Sequence, residues 1–294
     1  MIRVVMLGRL GNNLFQYAFG RVLAEKYNVP LLMDGSWFNG RTWPFVESFR
    51  RLPGVVEGKA KVVRPFSLGS RVLNKVCGRH HWEFLGQPIV REPSEDHSFD
   101  RRLLDSPGNC VVLGFFQSPL YFSAIDPVLR RELATDGLGL ETGFEALADR
   151  LREPSSVAVH VRRSDYVGNR DVARLDHDYY LRAMNRIRES VRGARFHVFS
   201  DDPVWCSGVF NGRDVSVNEH SDPFAPLVDL HLMSLASHHI IANSTFSWWG
   251  AWLGTKPGQQ VLMPDVWFER GIHAPIEEKL LEGWQLMPVR SGSS

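Results

Sequence analysis

The chain has 294 residues, 44% hydrophobic and 23% charged, with a formal net charge of +1, a composition that fits a soluble globular protein long enough for two domains of ordinary size. So balanced a charge excludes the overall basic field that non-specific nucleic-acid binding needs, and any anion site must be local. Cys77, Cys110 and Cys206 are far apart and odd in number, which gives neither a disulfide framework nor a zinc spacing and implies reduced thiols.

The opening MIRVVMLGRLGNN lacks the regions of a secretory signal, and no run approaches the roughly 18 apolar residues of a membrane span. A cytoplasmic location is expected. Ile2 to Leu7 reads as a buried strand, Gly8-Arg-Leu-Gly11-Asn-Asn13 as a turn, and Leu14, Phe15, Ala18, Phe19, Val22 and Leu23 recur at helical spacing. Val29 to Met33 is the next strand, so the chain opens as an α/β sheet. From about Trp37 to Cys110 the prolines at 44, 53, 65, 88 and 93 break every periodic pattern and no elements can be placed. Cys110 to Phe116 is another buried strand, residues 124 to 153 carry helical patterns, and Glu153-Pro-Ser-Ser156 marks a domain boundary between 1–153 and 154–294.

The second half alternates regularly. SVAVHV, FHVFS, HHIIA and QVLMP read as strands; the helices between them are YYLRAMNRIRESV, preceded by Asp176-His-Asp178, then Pro223 to Ser237, and TFSWWGAWLG closed by Gly254. Strands and helices at this spacing imply a parallel doubly wound sheet, whose ligands sit beyond the carboxyl ends of its strands.

The chemistry collects at those ends: HVRRSD, FSDDP, IANSTFS and MPDVW each turn abruptly from apolar to polar. Arginine carries a permanently charged fork of donors matched to phosphate oxygens, so Arg162 and Arg163 read as an oxyanion clamp, with Asp165 able to hold one guanidinium. The alternative is a salt-bridged surface pair. Ser244 or Thr245 can cap the helix that follows while its free N–H groups meet an anion, or can simply be a cap. Asp201 and Asp202 repel phosphate but accept hydrogen bonds from a ribose or from the N–H edge of guanine. Asp176-His-Asp178 has the Asp-x-Asp form of manganese-dependent sugar transferases, yet its place before a helix fits a capping segment better. The pairs His80-His81 and His238-His239 are adjacent and cannot share a metal face.

Four segments, LGRLGNNLFQYAFGRVLAEKYN, HVRRSDYV, FSDDPVW and DLHLMSLASHHIIANSTFSWWGAWLG, make the chain resemble the alpha-1,2-fucosyltransferases of glycosyltransferase family 11 over almost its whole length. That resemblance implies a GT-B fold, two Rossmann-like α/β domains whose parallel sheets face across a cleft. The acceptor side would be residues 1–153 and the GDP-sugar side 154–294. It implies inverting transfer of L-fucose from GDP-β-L-fucose to O2 of a terminal β-galactose, within polysaccharide biosynthesis, with no cofactor and no essential metal. Arg162 and Arg163 would hold the pyrophosphate with His160 beside them, Asp202 and Asp201 would read the guanosine, and Asn243, Ser244, Thr245 and Phe246 would line the phosphate side. Gly11, Asn12 and Asn13 would contribute from the first domain. Arg9 and Asn13 depart from the family's GGLGNQ form, which touches acceptor contacts more than donor binding.

An inverting reaction calls for a base, and Asp165, Asp171, Asp176 and His177 are candidates. Two other readings compete: a GT-B transferase using another GDP-sugar, and a catalytically silent sugar-nucleotide or glycan-binding protein that stacks sugars on Phe246 to Trp252. Acceptor choice is expected from residues 37 to 110. No nucleic acid is expected as a partner, and the absence of a membrane span leaves peripheral association with a lipid-linked acceptor compatible.

Overall fold

A computed structural model describes residues 1–36, 38, 43–63, 86–93, 98–163, 173, 175–218, 226–268 and 275–290. The chain forms two compact units, one of Met1–Thr135 with a short return segment ending at Glu278, the other beginning at Asp136 and resuming at Lys279.

In the first unit, β1 (Ile2–Val5), β2 (Leu31–Asp34), β3 (Ala60–Val63), β4 (Ile89–Arg91) and β5 (Cys110–Leu113) form a wholly parallel sheet in the order β3-β2-β1-β5-β4. Helix α1 (Leu10–Tyr27) is buried on most of its circumference, as an element packed between sheet and helices must be. It stops at Asn28, whose left-handed backbone (φ 49°) lets its N–H reach the carbonyls of Ala24 and Glu25, a conformation asparagine tolerates better than most residues. The proline-broken region contributes α2 (Trp43–Arg50), α3 (Pro53–Val56), β3 and β4. Helix α4 (Asp126–Glu132) is stapled to α1 by Glu132, which accepts from the Tyr17 hydroxyl at 2.6 Å and from Arg21 Nε and Nη2 at 2.9 Å each.

In the second unit, β6 (Ser156–Val161), β7 (Arg195–Ser200), β8 (Val215–Val217), β9 (His238–Ile240), β10 (Val261–Pro264) and β11 (Trp284–Met287) are again all parallel, in the order β11-β10-β9-β6-β7-β8. Every residue of β6 is buried, which is why its sequence, SVAVHV, is mostly apolar without alternation. Around this sheet lie α5 (Glu145–Leu151), α6 (His177–Ser190), α7 (Pro203–Val209), α8 (Pro226–Leu235) and α9 (Thr245–Leu253).

Two expectations change. The units divide at Thr135/Asp136 rather than at 153/154, because Ala148 and Leu151 of α5 are buried with Ala158, Phe199, Leu232 and Met233 in the second core. The Glu153-Pro break therefore lies inside a unit. Gly254 does end α9, but with φ −79°. It is glycine for room, since a Cβ there would lie 2.6 Å from the Ser234 carbonyl oxygen.

Candidate nucleotide-sugar site

Strand order in the second sheet reverses between β6 and β9, and the crevice beyond such a reversal is where open α/β sheets bind ligands. The β6 exit carries Arg162 and Arg163; the β9 exit leads through Asn243 and Ser244 into α9. Sheet register then explains the pairing of charges. Val161 lies opposite Ser200, so the next residues along the two strands, Arg162 with Asp201 and Arg163 with Asp202, come out side by side.

Arg162 Nη1 meets Asp201 Oδ2 at 3.0 Å, and both side chains are mostly buried. Asp201 Oδ1 accepts the backbone N–H of Arg163 at 2.9 Å. Arg163 Nε donates to Asp202 Oδ2 at 3.1 Å while its guanidinium carbon lies 3.7 Å from the centre of the Trp205 ring. Asp202 in turn caps α7, accepting from Trp205 N at 3.1 Å, and its own N–H donates to Ser200 Oγ at 3.0 Å. The Arg163 fork is thus fixed on one edge and one face. Its two terminal nitrogens make no hydrogen bond to the described residues, and a fork of this kind can pair with two oxygens of one anion.

Ser244 is the N-cap of α9, yet its side chain makes no capping bond. The amides of Phe246 and Ser247 precede the first helical hydrogen bond, from Trp248 N to the Ser244 carbonyl at 3.0 Å. Such a helix start offers donors and a positive dipole end to an anion. Between the two exits His160 is buried, its ring 5.6 Å from that of Phe246, and its Nδ1 has no partner among the described residues. Burial, reinforced by Arg162 and opposed by Asp201, holds its pKa down at about 3, so it is a neutral imidazole at any physiological pH.

Other expected site residues have other duties. Asp201 holds the Arg162 guanidinium and Asp202 that of Arg163; Asp165 and Asp171 lie outside the described residues. Asn243 is buried and spends both amide hydrogens on the carbonyls of Ala173, at 2.8 Å, and Trp267, at 2.9 Å. These two bonds anchor the β9 exit. Asp176 Oδ1 accepts from Tyr179 N at 2.8 Å as the N-cap of α6, and His177 Nδ1 lies 3.8 Å from Asp178 Oδ1. Among the described residues no three His, Cys, Asp or Glu side chains are grouped to hold a metal.

In the first unit Gly11 and Asn13 are buried. The Asn13 amide nitrogen donates to the Leu7 carbonyl at 2.9 Å and to Gln16 Oε1 at 3.1 Å, which shapes the loop, while its Oδ1 has no partner among the described residues. Asn12 is half-buried and accepts from Gln117 Nε2 at 3.2 Å. The tryptophans 248, 249 and 252 are core, at most 1% exposed and packed edge to face on one another, so they offer no sugar-stacking surface. His239 is equally structural: Nε2 donates to the Met233 carbonyl at 2.9 Å and Nδ1 accepts from Gln259 at 3.0 Å. Trp205 was not singled out by sequence reasoning. Its signal was present, an aromatic one turn into a helix whose cap is the second aspartate.

Two parallel-sheet α/β units are the architecture of GT-B glycosyltransferases. A fucosyltransferase NodZ from Bradyrhizobium superposes with a TM-score of 0.51 at 14% identity, over 85% of this chain and 92% of that one. A family 9 glycosyl transferase from Veillonella parvula gives 0.50 at 11% identity, over 100% and 88%. Residues 96–287 match the family described as Glycosyl transferase family 11, and the chain belongs to that family of glycosyltransferases. An alpha-1,2-colitosyltransferase of Escherichia coli is 30% identical over 90% of this chain and 91% of its own length. The O-antigen biosynthesis glycosyltransferase WbnK, also of Escherichia coli, is 30% identical over 89% and 93%. A mouse galactoside 2-alpha-L-fucosyltransferase, Sec1, is 34% identical over 34% of this chain. Among the described residues no helix is long and apolar enough to cross a membrane.

Proposed function

We propose that this glycosyltransferase moves L-fucose from GDP-β-L-fucose to O2 of a terminal β-galactose, with inversion at the anomeric carbon and no essential metal. The observation that carries the reading is the Arg163 guanidinium, fixed by Asp202 and Trp205 with its terminal nitrogens not bonded to any described residue. As the bond from the anomeric carbon to the β-phosphate oxygen lengthens, negative charge grows on that phosphate. A preorganised arginine fork and a helix start stabilise it without reorganising. Arg162, Ser244, Thr245 and Phe246 share this phosphate side. Asp202, whose side chain is more open than that of Asp201, retains acceptor capacity for the guanine edge. Of the base candidates Asp165, Asp171, Asp176 and His177, Asp176 is committed to capping α6.

The test is a panel of GDP-sugars against β-galactosides, with the product linkage read by NMR. Fucose α-linked to O2 is expected. Binding without turnover would overturn the transferase reading of the site, and a different linkage would overturn the assignment. The colitosyltransferase similarity supports a second donor, because colitose is fucose without its 3-hydroxyl. A higher kcat/KM for GDP-colitose in the same panel would select it.

A further inference from the structure

We propose that the arginine-rich corner at the amino ends of β7 and β8, in the second unit, is a docking face for an anionic phospholipid bilayer. The inference is independent of which sugar the enzyme moves. These residues lie at the end of the sheet opposite to the strand exits that carry Arg162 and Arg163.

Arginines recur along the end of α6 and the turn after it. Residues 186 to 195, RIRESVRGAR, hold Arg186, Arg188, Arg192 and Arg195 against the single carboxylate of Glu189, and all four arginines are exposed. The second unit as a whole has more carboxylates than cations, so this positive density is local and opposes the sign of its surroundings. A helix C-terminus favours a cation in its last turn, which accounts for Arg188. It does not account for Arg192 and Arg195, which lie beyond the helix, or for the exposed Arg213, which comes from the loop between α7 and β8.

The fold gathers these segments. The chain leaves α6 at Ser190, turns through Gly193 (φ 73°) and enters β7 at Arg195. Parallel register sets Phe196 opposite Val215, so the preceding residues, Arg195 and Asp214, come side by side with Arg213 next to them. Arg195 Nη1 meets the Arg213 carbonyl at 3.5 Å. Arg188 Nε donates to Asp214 Oδ2 at 2.8 Å, and its guanidinium carbon lies 4.8 Å from the centre of the Phe196 ring. The two carboxylates of the corner are thus engaged, Asp214 by Arg188 and Glu189 by Arg186 Nη1 at 3.4 Å. The guanidinium groups of Arg192 and Arg213 make no hydrogen bond or ion pair with the described residues.

All five cations are arginine, whose fork pairs with phosphate oxygens where a lysine offers only a point charge. Drawn from three segments and exposed together, they suit an array of phosphates more than one phosphate in a pocket. Each basic residue near an anionic leaflet strengthens binding roughly fivefold. The remaining exposed residues of these segments, Asn185, Ser190, Gly193, Asn211 and Gly212, include no aromatic ring on which a nucleic-acid base could stack. Charge without stacking surface is what a leaflet of phospholipid headgroups asks for.

The test is co-sedimentation of the full chain with two kinds of vesicle, one of phosphatidylglycerol and phosphatidylethanolamine, the other of phosphatidylcholine alone. The native protein is expected to sediment with the first and not the second, and its binding to fall as salt is raised. A variant carrying Arg192→Glu, Arg195→Glu and Arg213→Glu should partition about a hundredfold more weakly. A control with the same change of charge at exposed positions of the first unit, Lys59→Glu, Lys61→Glu and Arg131→Glu, should bind as the native protein does. Failure of the native protein to bind the anionic vesicles overturns the proposal, as does equal binding to phosphatidylcholine. Equal loss in both triple variants also overturns it, since net charge and not this corner would then govern binding. Displacement from the vesicles by duplex DNA at an equal concentration of phosphate would make the corner a nucleic-acid face instead. Urea unfolding checks both variants; if the glutamates destabilise the fold, Arg→Gln at the same three positions decides by the same readings. None of these readings needs turnover, so absence of fucosyl transfer would overturn the proposed function and leave this test intact.

Discussion

The Arg163 guanidinium lies flat on the indole of Trp205, 3.7 Å from the ring centre, while Asp202 joins the two by accepting from Arg163 Nε and from Trp205 N. Stacking and the ion pair together set the direction of the fork, and neither does so alone. A partly exposed ion pair of this kind is worth little in stability. Its value here is orientation.

Arg163→Ala is accordingly expected to lower kcat by roughly 10²–10³, and Arg163→Lys to restore little, since a point charge replaces the fork. Trp205→Leu removes a cation–π contact of about 1 kcal/mol and should cost five- to tenfold in kcat. On an Arg163→Lys background the same Trp205 change should add almost nothing, because the partner it orients is already gone. Steady-state kinetics of the four variants check this; full additivity would remove Trp205 from the positioning role.

Asn13 offers the opposite case, a residue of the glycine-rich turn whose work is structural. Its amide is buried and bonded to Leu7 and Gln16, so Asn13→Ala leaves a buried carbonyl unsatisfied at a cost of about 1–3 kcal/mol. Urea unfolding should show that loss with the KM for the GDP-sugar unaltered. A donor KM raised tenfold at native stability would return Asn13 to the nucleotide.

Metal dependence separates two readings of Asp176-His-Asp178. Asp176 is committed to capping α6, and Asp178 is exposed. Asp176→Ala should therefore lower stability by about 1 kcal/mol, Asp178→Ala should change nothing measurable, and EDTA should leave the rate within twofold. Loss of transfer on chelation, recovered with manganese, would place a cation among the donor's ligands.

The β-strand and helix alternation after residue 156 was legible because β6, β7 and β10 are buried over almost their whole length and are mostly apolar, with runs of polar residues starting where each strand leaves the sheet. Region 37–110 was illegible for the complementary reason: β3 and β4 are edge strands with partly exposed residues and no unbroken apolar run. Arg162 and Arg163 could be found from residue type alone. Their partners could not, since Asp201 and Asp202 are 39 residues away from them and come alongside only through the parallel register of β6 and β7. The tryptophans of α9 misled in the other direction, as aromatic abundance does not distinguish core from binding surface.

Acid should unfold this protein through its histidines. Burial is the main cause that depresses His160 and His239 to about 3 and His197 to about 4, and it lowers His238 as well. In the unfolded chain each titrates near 6.5. A histidine depressed in the folded state costs nothing above that value, where both states are neutral. As pH falls below 6.5 the unfolded chain takes up protons that the folded chain refuses, and stability drops by about 1.4 kcal/mol per pH unit for each such group until the folded pKa is reached. The three strongest together remove about 4 kcal/mol per unit below about pH 5.5, against a total of roughly 5–15 kcal/mol. Urea unfolding between pH 7.5 and 5 should show that slope. His197, whose Nδ1 is 2.9 Å from Ser216 Oγ, is the cleanest probe, because Asn can supply a polar atom near that position without titrating. His197→Asn should reduce the slope by about one proton. A slope unchanged by the substitution, or stability flat from pH 7 to 5, would show that these imidazoles are not held neutral by the fold.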